Sequence, residues 1–156
     1  MIKVLEVVYG FGYGGIRAFI TNSLEYLNKS KFQIDIYVFG TNYSPFTDKV
    51  KSLGANIYFQ PENNVRNITK FVSQLEIFMK EHGPYNVVHA HCNLISAWVL
   101  LAAKRAGVPI CLSHSHTASH FNGGIIQKAY SYLRRAIIRQ LATTKLACGK
   151  LAGETM

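Results

Sequence analysis

Val4-Leu5-Glu6-Val7-Val8-Tyr9 is a run of strand-forming residues that leads into Gly10-Phe11-Gly12-Tyr13-Gly14-Gly15, and an amphipathic helical pattern starts at Ile16. A strand, a glycine-rich turn and a helix N-terminus in this order form a backbone cradle for an anion. Glycine permits positive φ values and close approach of the backbone, and the first N–H groups of a helix favour a phosphate. The segment predicts that the chain handles a phosphorylated ligand.

The rest of the chain alternates between apolar strand-like runs and helical periodicity. Strands are predicted near 2–9, 33–39, 55–59, 86–91, 109–114 and 145–148, and helices near 16–28, 46–53, 67–82, 94–106 and 124–141. This alternation predicts right-handed crossovers and an α/β fold, a Rossmann-like parallel sheet with helices on both faces. We expect one such domain over residues 1–156, with its ligand beyond the carboxyl ends of the strands.

Composition and charge limit the classes of function. The chain is 49% hydrophobic and 16% charged, and it has no apolar run of about 18 residues, which predicts a soluble protein. The start of the sequence shows no leader, which favours a cytoplasmic location. Three cysteines, Cys92, Cys111 and Cys148, lie in or beside apolar runs, and we expect them to be buried reduced thiols.

A formal net charge of +9 suggests an anionic partner. The basic residues are scattered apart from a group between Lys128 and Lys145, and the aromatic residues form no RNA-binding motif, so we expect no nucleic-acid partner. Within that group, the predicted helix 124–141 combines an apolar face with Lys128, Arg134, Arg135 and Arg139. Two interpretations stay open, a helix on an anionic membrane surface and a core-packing helix with a solvated basic face.

The glycine turn also satisfies the G-x-G-x-x-G pattern of dinucleotide-binding proteins. That fingerprint needs an acidic residue at the end of the second strand, where it binds a ribose. The acid available here, Asp35, lies near the start of that strand, which ends in Val38-Phe39-Gly40. The sequence therefore disfavours a nicotinamide or flavin enzyme, and glycines that serve only a tight turn remain an alternative.

Two pairs of histidines fall at predicted strand ends. His89-Ala90-His91-Cys92 closes one strand and His114-Ser115-His116-Thr117 closes another, so each pair directs both imidazoles to one side. Imidazoles and a thiol can bind zinc. We expect no metal, because the pairs could face away from one another and no carboxylate is expected beside them. Structural histidines, substrate contact and polar catalysis remain open.

Four segments, in this order and spacing, resemble the N-terminal half of the GT-B glycosyltransferases, specifically retaining family four with its capsular and exopolysaccharide enzymes. The segments are Gly14-Gly15-Ile16 after the first strand, then Tyr85-Asn86-Val87-Val88-His89-Ala90-His91, then Ala106-Gly107-Val108-Pro109 with Ser113-His114-Ser115-His116-Thr117, and last Lys145-Leu146-Ala147-Cys148-Gly149-Lys150-Leu151-Ala152-Gly153. The resemblance covers nearly the whole chain.

The resemblance implies sugar transfer from a nucleotide sugar to a glycan or lipid-linked acceptor held by this half, without a cofactor or metal. Gly14 and Gly15 match the glycine pair that faces a phosphate across the interdomain cleft. His116 matches a histidine near the transferred sugar and is the candidate catalytic residue. The other candidate substrate-binding residues are His91, His114, Thr117 and Arg17, which replaces a glutamate often found after the glycine pair.

The family's C-terminal domain, with its paired glutamates and most of the nucleotide site, has no counterpart in these 156 residues. The resemblance therefore implies that the chain alone is inactive and needs a C-terminal domain or a partner subunit. It also leaves open a noncatalytic sugar-phosphate or membrane-surface binding module. Because acceptors in the family are lipid-linked, a peripheral position at the inner face of the membrane is a further expectation.

Overall fold

The computed structural model describes residues 1–41, 43–60, 62, 65–117 and 124–154. Its strands are β1 Ile2–Val8, β2 Phe32–Val38, β3 Asn56–Phe59, β4 Val87–Ala90, β5 Ile110–Ser115 and β6 Thr144–Ala147. Its helices are α1 Gly15–Tyr26, α2 Thr47–Ser52, α3 Ile68–His82, α4 Ser96–Arg105, α5 Ile125–Leu141 and α6 Lys150–Glu154, with a short 3₁₀ helix at Asn93–Ile95. Every predicted element is present, and α6 and the 3₁₀ helix are additions that the sequence pattern did not reveal.

The six strands form one parallel sheet in the order β3-β2-β1-β4-β5-β6. This confirms the predicted α/β, Rossmann-like fold. The chain winds outward from β1 to β3 and then returns to place β4 on the other side of β1. Crevices at such reversals, beyond the carboxyl ends of the strands, are where these sheets bind ligands.

Helices cover the sheet on both faces because the side chains of each strand alternate between two cores. In β1, Leu5 and Val7 pack with α3 and α4 in one core, whereas Val4 and Val8 pack with α1 and α2 in the other. Glu6 shares its parity with Val4 and Val8, so the carboxylate lies on the α1 side of the sheet. It is only 8% exposed.

The predicted ends of two helices are confirmed by left-handed glycines. Gly54 follows α2 with φ +85° and Gly107 follows α4 with φ +78°, a conformation that glycine adopts without steric cost and that terminates helices. The prediction for the cysteines is right for Cys92 and Cys111, which are buried, and wrong for Cys148, which is exposed. The reason is that β6 lies at the edge of the sheet, where a following residue has no neighbouring strand outside it.

Helix α5 is more open to solvent than a core-packing helix. Within it only Ser131 and Ile138 are buried, while Ile125 and Ile126 are 88% and 84% exposed. Ile137 and Leu141 pack partly against the core of α3 and α4. In the part of the chain that the structure describes, no helix has the length and apolarity that crossing a membrane requires.

Candidate functional site

A cleft of about 630 Å³ opens at the carboxyl ends of β1, β5 and β6. It lies where the reversal of strand order predicts a ligand site. One wall is the glycine turn with the start of α1, and the other is the end of β5 with the residues after β6. The lining residues are Gly10, Gly12, Tyr13, Gly14, Gly15, Ile16, Arg17, Phe19, His114, His116, Thr117, Ala147 and Cys148.

The glycine turn presents bare backbone to this cleft. Gly14, with φ +152°, is the N-terminal cap of α1 and is alone among the four turn glycines in the positive-φ region, so positive φ explains one glycine rather than all four. No side chain caps α1, and its first turn has no acidic residue. Since the first N–H groups of a helix have no intrahelical acceptor, those of Gly15, Ile16 and Arg17 remain available to an anion.

The cleft also leaves room for a ligand to reach that backbone. A Cβ atom placed on Gly14 or Gly15 would meet no heavy atom within 4 Å. Packing against the described residues therefore does not require glycine at these two positions. The alternative that the glycines serve only a tight turn accounts for Gly14 and leaves Gly15 unexplained.

Arg17 is a half-buried side chain of the cleft that packs against Phe46. Its guanidinium carbon lies 4.4 Å from the centroid of the Phe46 ring, a cation–π arrangement. Its Nε is buried and has no hydrogen-bond partner among the described residues. A buried guanidinium nitrogen without an acceptor is costly unless a ligand supplies one, which favours contact between Arg17 and an anion.

The two histidine pairs face each other, which overturns the expectation that they could point apart. β4 and β5 are adjacent, and both pairs lie on the α1 side of the sheet. His89 Nε2 lies 3.2 Å from His114 Nδ1, and His91 Nδ1 lies 2.8 Å from His116 Nε2. The four imidazoles form two hydrogen-bonded arms that run from inside the sheet to the cleft.

A carboxylate joins the two arms at their inner end, so the expectation that none lies nearby is also wrong. Glu6 Oε2 lies 2.6 Å from His91 Nε2 and 3.1 Å from His89 Nδ1. Burial alone would raise the pKa of the Glu6 carboxyl, but hydrogen bonds and charge from His89 and His91 lower that pKa to about 2. This contact could not be predicted from the sequence, because Glu6 stands on β1 and the histidines stand on β4.

Phe19 of α1 covers the histidines on the side away from the sheet. Its ring centroid lies between 5.3 and 6.4 Å from the centroids of all four imidazoles. Burial, together with the charge of the neighbouring histidines, lowers the pKa values of His114 and His116 to about 4. Burial likewise lowers the pKa of His91, against the opposing effect of Glu6. At neutral pH these three imidazoles are uncharged.

Three of the four imidazoles could also bind a metal. One ring nitrogen from each of His89, His91 and His114 lies within 4.8 Å of the others, and neutral imidazoles with a carboxylate beside them are ligands that Zn²⁺ accepts. The hydrogen bonds already described satisfy the same nitrogens without an ion. The expectation of metal independence stays a prediction.

Asn93, which the sequence analysis missed, fixes the end of β5. Its Nδ2 donates to Thr117 Oγ1 at 2.9 Å, and its Oδ1 accepts from the backbone N–H of His116 at 3.2 Å. Asn93 has φ +48°, a left-handed conformation that asparagine tolerates better than most residues. The signal in the sequence was an asparagine directly after the first histidine pair and its cysteine.

The structure brings most of the predicted site residues to one cleft. Gly14, Gly15, Arg17, His114, His116 and Thr117 all line it. His91 does not, because it is 3% exposed and lies one layer deeper, between Glu6 and His116. Its place favours an effect on His116 over a direct contact with substrate.

Comparisons with known proteins agree with this arrangement. The model of the family described as glycosyltransferase family 4 matches residues 13–148. A Bacillus subtilis (strain 168) protein described as the glycosyltransferase EpsF is 33% identical over 153 residues, which are 97% of this chain and 40% of that protein. The chain therefore spans less than half the length of this relative.

Two solved structures share the fold. Anabaena HepE, in complex with UDP and glucose, superposes with a TM-score of 0.66 at 14% identity, covering 99% of this chain and 40% of HepE. The lipopolysaccharide outer core galactosyltransferase WaaB, in its apo form, has a TM-score of 0.54 at 15% identity, covering 72% of this chain and 32% of WaaB. At these identities the likeness is one of fold.

Proposed function

We propose a function from the premise that this chain belongs to glycosyltransferase family 4, to which the family match over residues 13–148 and the 33% identical relative assign it. It is the acceptor-side half of a retaining glycosyltransferase, which takes a sugar from a nucleotide sugar and passes it to a glycan or lipid-linked acceptor. The donor is a substrate, and the reaction needs no cofactor or metal.

One observation carries this proposal, the cleft that pairs an anion-binding wall with a wall of neutral imidazoles. On the first wall, the N–H groups at the start of α1 and the Nε of Arg17, which have no acceptor among the described residues, supply donors for phosphate oxygens. Helix N-termini and guanidinium groups are the donors that phosphates favour in proteins. This wall binds the diphosphate of the donor or a phosphate of the acceptor.

On the second wall, His116 lies beside Thr117 at the end of β5 and faces the same cleft. A neutral imidazole can accept a hydrogen bond from a sugar hydroxyl, orient that hydroxyl and take up its proton. His114 offers a second imidazole and Thr117 a hydroxyl. We assign catalysis to His116 and substrate binding to Gly14, Gly15, Arg17, His114 and Thr117, with His91 acting behind His116.

The 156 residues alone are proposed to bind a phosphorylated ligand without transferring sugar. The chain spans 40% of the length of its relative EpsF, and in the family the paired glutamates and most of the nucleotide site belong to a C-terminal domain. A C-terminal domain or a partner subunit would then complete the cleft. The alternative function, a noncatalytic sugar-phosphate binding module, would use the same anion-binding wall.

The test is an NMR titration of the folded chain with pyrophosphate and with UDP-glucose, followed by a transfer assay with polyprenyl-linked acceptors. We expect the amide signals of Gly15, Ile16 and Arg17 to shift, and Gly15→Val to weaken binding while leaving the fold intact, because the added side chain enters open space. Tyr26→Val, at an exposed position at the other end of α1 and outside the cleft, is the control. Absence of binding refutes the proposal that the anion-binding wall binds phosphate. Sugar transfer by the chain alone refutes the proposal that the chain is inactive by itself.

A separate observation favours peripheral attachment to a membrane through α5. Ile125 and Ile126 at its start are almost fully exposed, and Lys128 follows one turn later. Exposed apolar residues beside cations are the pattern of helices that lie on anionic lipid surfaces. We propose that α5 holds the protein at the inner face of the membrane, where a lipid-linked acceptor would be found.

A further inference from the structure

We propose that Glu6 sets the proton positions of all four histidines, holding His89 and His114 as Nδ1–H tautomers and His91 and His116 as Nε2–H tautomers. In this arrangement His114 keeps Nε2, and His116 keeps Nδ1, as its unprotonated nitrogen. Glu6, His89 and His91 then act as positioning residues for the two imidazoles of the cleft. The inference rests on the proposed function for its catalytic meaning, but the proton positions themselves follow from the geometry.

An ionised carboxylate can only accept hydrogen bonds. Glu6 is ionised at neutral pH, because its pKa is held at about 2. Its Oε2 lies within hydrogen-bond distance of His91 Nε2 and His89 Nδ1. Both of these nitrogens must therefore carry the proton.

A neutral imidazole, the form that prevails above the ordinary pKa of histidine, has one N–H and one lone pair. When His91 donates from Nε2, its Nδ1 can only accept, so the proton of the 2.8 Å contact belongs to His116 Nε2. When His89 donates from Nδ1, its Nε2 can only accept, so the proton of the 3.2 Å contact belongs to His114 Nδ1. A single carboxylate thereby determines four tautomers.

The two arms differ in a way that makes the proposal testable. A histidine free in water favours the Nε2–H tautomer, so that form at His91 and His116 would need no special cause. The Nδ1–H form at His89 and His114 is the less favoured one, and only the hydrogen bond to Glu6 explains it. The tautomers of His89 and His114 therefore test whether Glu6 sets the proton positions.

This proton placement suits the proposed chemistry. Each outer histidine offers a lone pair rather than an N–H, so it accepts a hydrogen bond from a sugar hydroxyl instead of competing with it as a donor. When His116 takes up a proton at Nδ1, its Nε2–H still donates to His91, and the Glu6 charge stabilises the resulting imidazolium through that bond. Phe19 packs over the two inner histidines, which are both buried.

The experiment is a long-range ¹H–¹⁵N correlation spectrum of histidine-labelled full chain at about pH 8, above the ordinary pKa of histidine, without ligand. We expect Nδ1–H patterns for His89 and His114 and Nε2–H patterns for His91 and His116, with His82, which lies outside the cluster and stacks on Phe78, as internal reference. An Nε2–H pattern for His114 in the wild type overturns the proposal, as does stoichiometric zinc in the purified protein.

Two variants then test the cause. Glu6→Gln should lose the Nδ1–H preference of His89 and His114, because an amide can donate as well as accept. His89→Phe should release His114 to the Nε2–H form and leave His116 unchanged. Retention of the Nδ1–H form at His114 in either folded variant contradicts the role of Glu6, and if both variants fail to fold, the wild-type spectrum still decides. None of these results depends on ligand binding, so they are separable from failure of the proposed function.

Discussion

Replacing Glu6 by glutamine should destabilise the protein far more than the same change at the surface. The pKa of Glu6 falls from 4.5 to about 2 on folding, and each unit corresponds to about 1.4 kcal/mol of differential stabilisation of the charged form. The upper limit at neutral pH is therefore about 3 kcal/mol. Glutamine keeps one acceptor oxygen, so we expect a loss of roughly 1–3 kcal/mol in the free energy of unfolding.

The matched control is Glu25→Gln. Glu25 Oε1 pairs with Lys49 Nζ at 2.7 Å, and both side chains are substantially exposed, so this pair should contribute about 1 kcal/mol or less. Urea denaturation of the wild type and both variants at neutral pH gives the comparison. A cost at Glu6 no greater than that at Glu25 would refute the argument that the buried carboxylate is held ionised by the histidines.

The pH dependence of stability supplies an independent check with a definite sign. A carboxyl whose pKa is lower in the folded state loses its stabilising contribution as pH falls, here between 4.5 and about 2. His114 and His116 add a loss at higher pH, because their lowered pKa values mean that the unfolded chain binds protons first, between 6.5 and about 4. Stability should thus fall throughout acidification, and in Glu6→Gln the step below 4.5 should shrink.

Two further predictions concern activity and location. When the chain is combined with a C-terminal domain or partner subunit that restores sugar transfer, His116→Ala should lower the turnover rate by about 10²-fold or more, in line with the loss of a general acid–base group. His89→Ala, compared at a matched folded fraction, should mainly lower stability. Wild-type turnover in His116→Ala would remove the catalytic assignment. The chain should co-sediment with anionic phosphatidylglycerol vesicles. Ile126→Glu should lower the co-sedimented fraction more than Ile77→Glu, a change at another exposed isoleucine. Equal co-sedimentation of both variants would contradict attachment through α5.

Most of the fold could be predicted from the sequence because its signals are local. The alternation of apolar runs with helical periodicity located every strand, and Gly54 and Gly107 marked the ends of two helices. The period of two along a strand also placed each histidine pair on one face. The short helix α6 was not predicted, because its five residues, Lys150–Glu154, are too few to show helical periodicity.

The chemistry of the site was less predictable because it depends on contacts between distant strands. The pairing of β1 with β4 aligns Glu6 with His89, and no sequence pattern states which strand lies beside which. The same topology joins His91 to His116 and places Asn93 against Thr117. The stacking of Arg17 on Phe46 could not be predicted for a related reason, since Phe46 stands directly before α2, far from Arg17 in the sequence.

Helix α1 connects the two walls of the cleft physically. Gly15 stands in its first turn and Phe19 is four residues later, so both lie on the same face of the helix. One end of the helix offers its N–H groups to a phosphate, while the Phe19 ring packs on the histidines. The same helix therefore contributes its backbone to one wall of the cleft and an aromatic side chain against the imidazoles of the other.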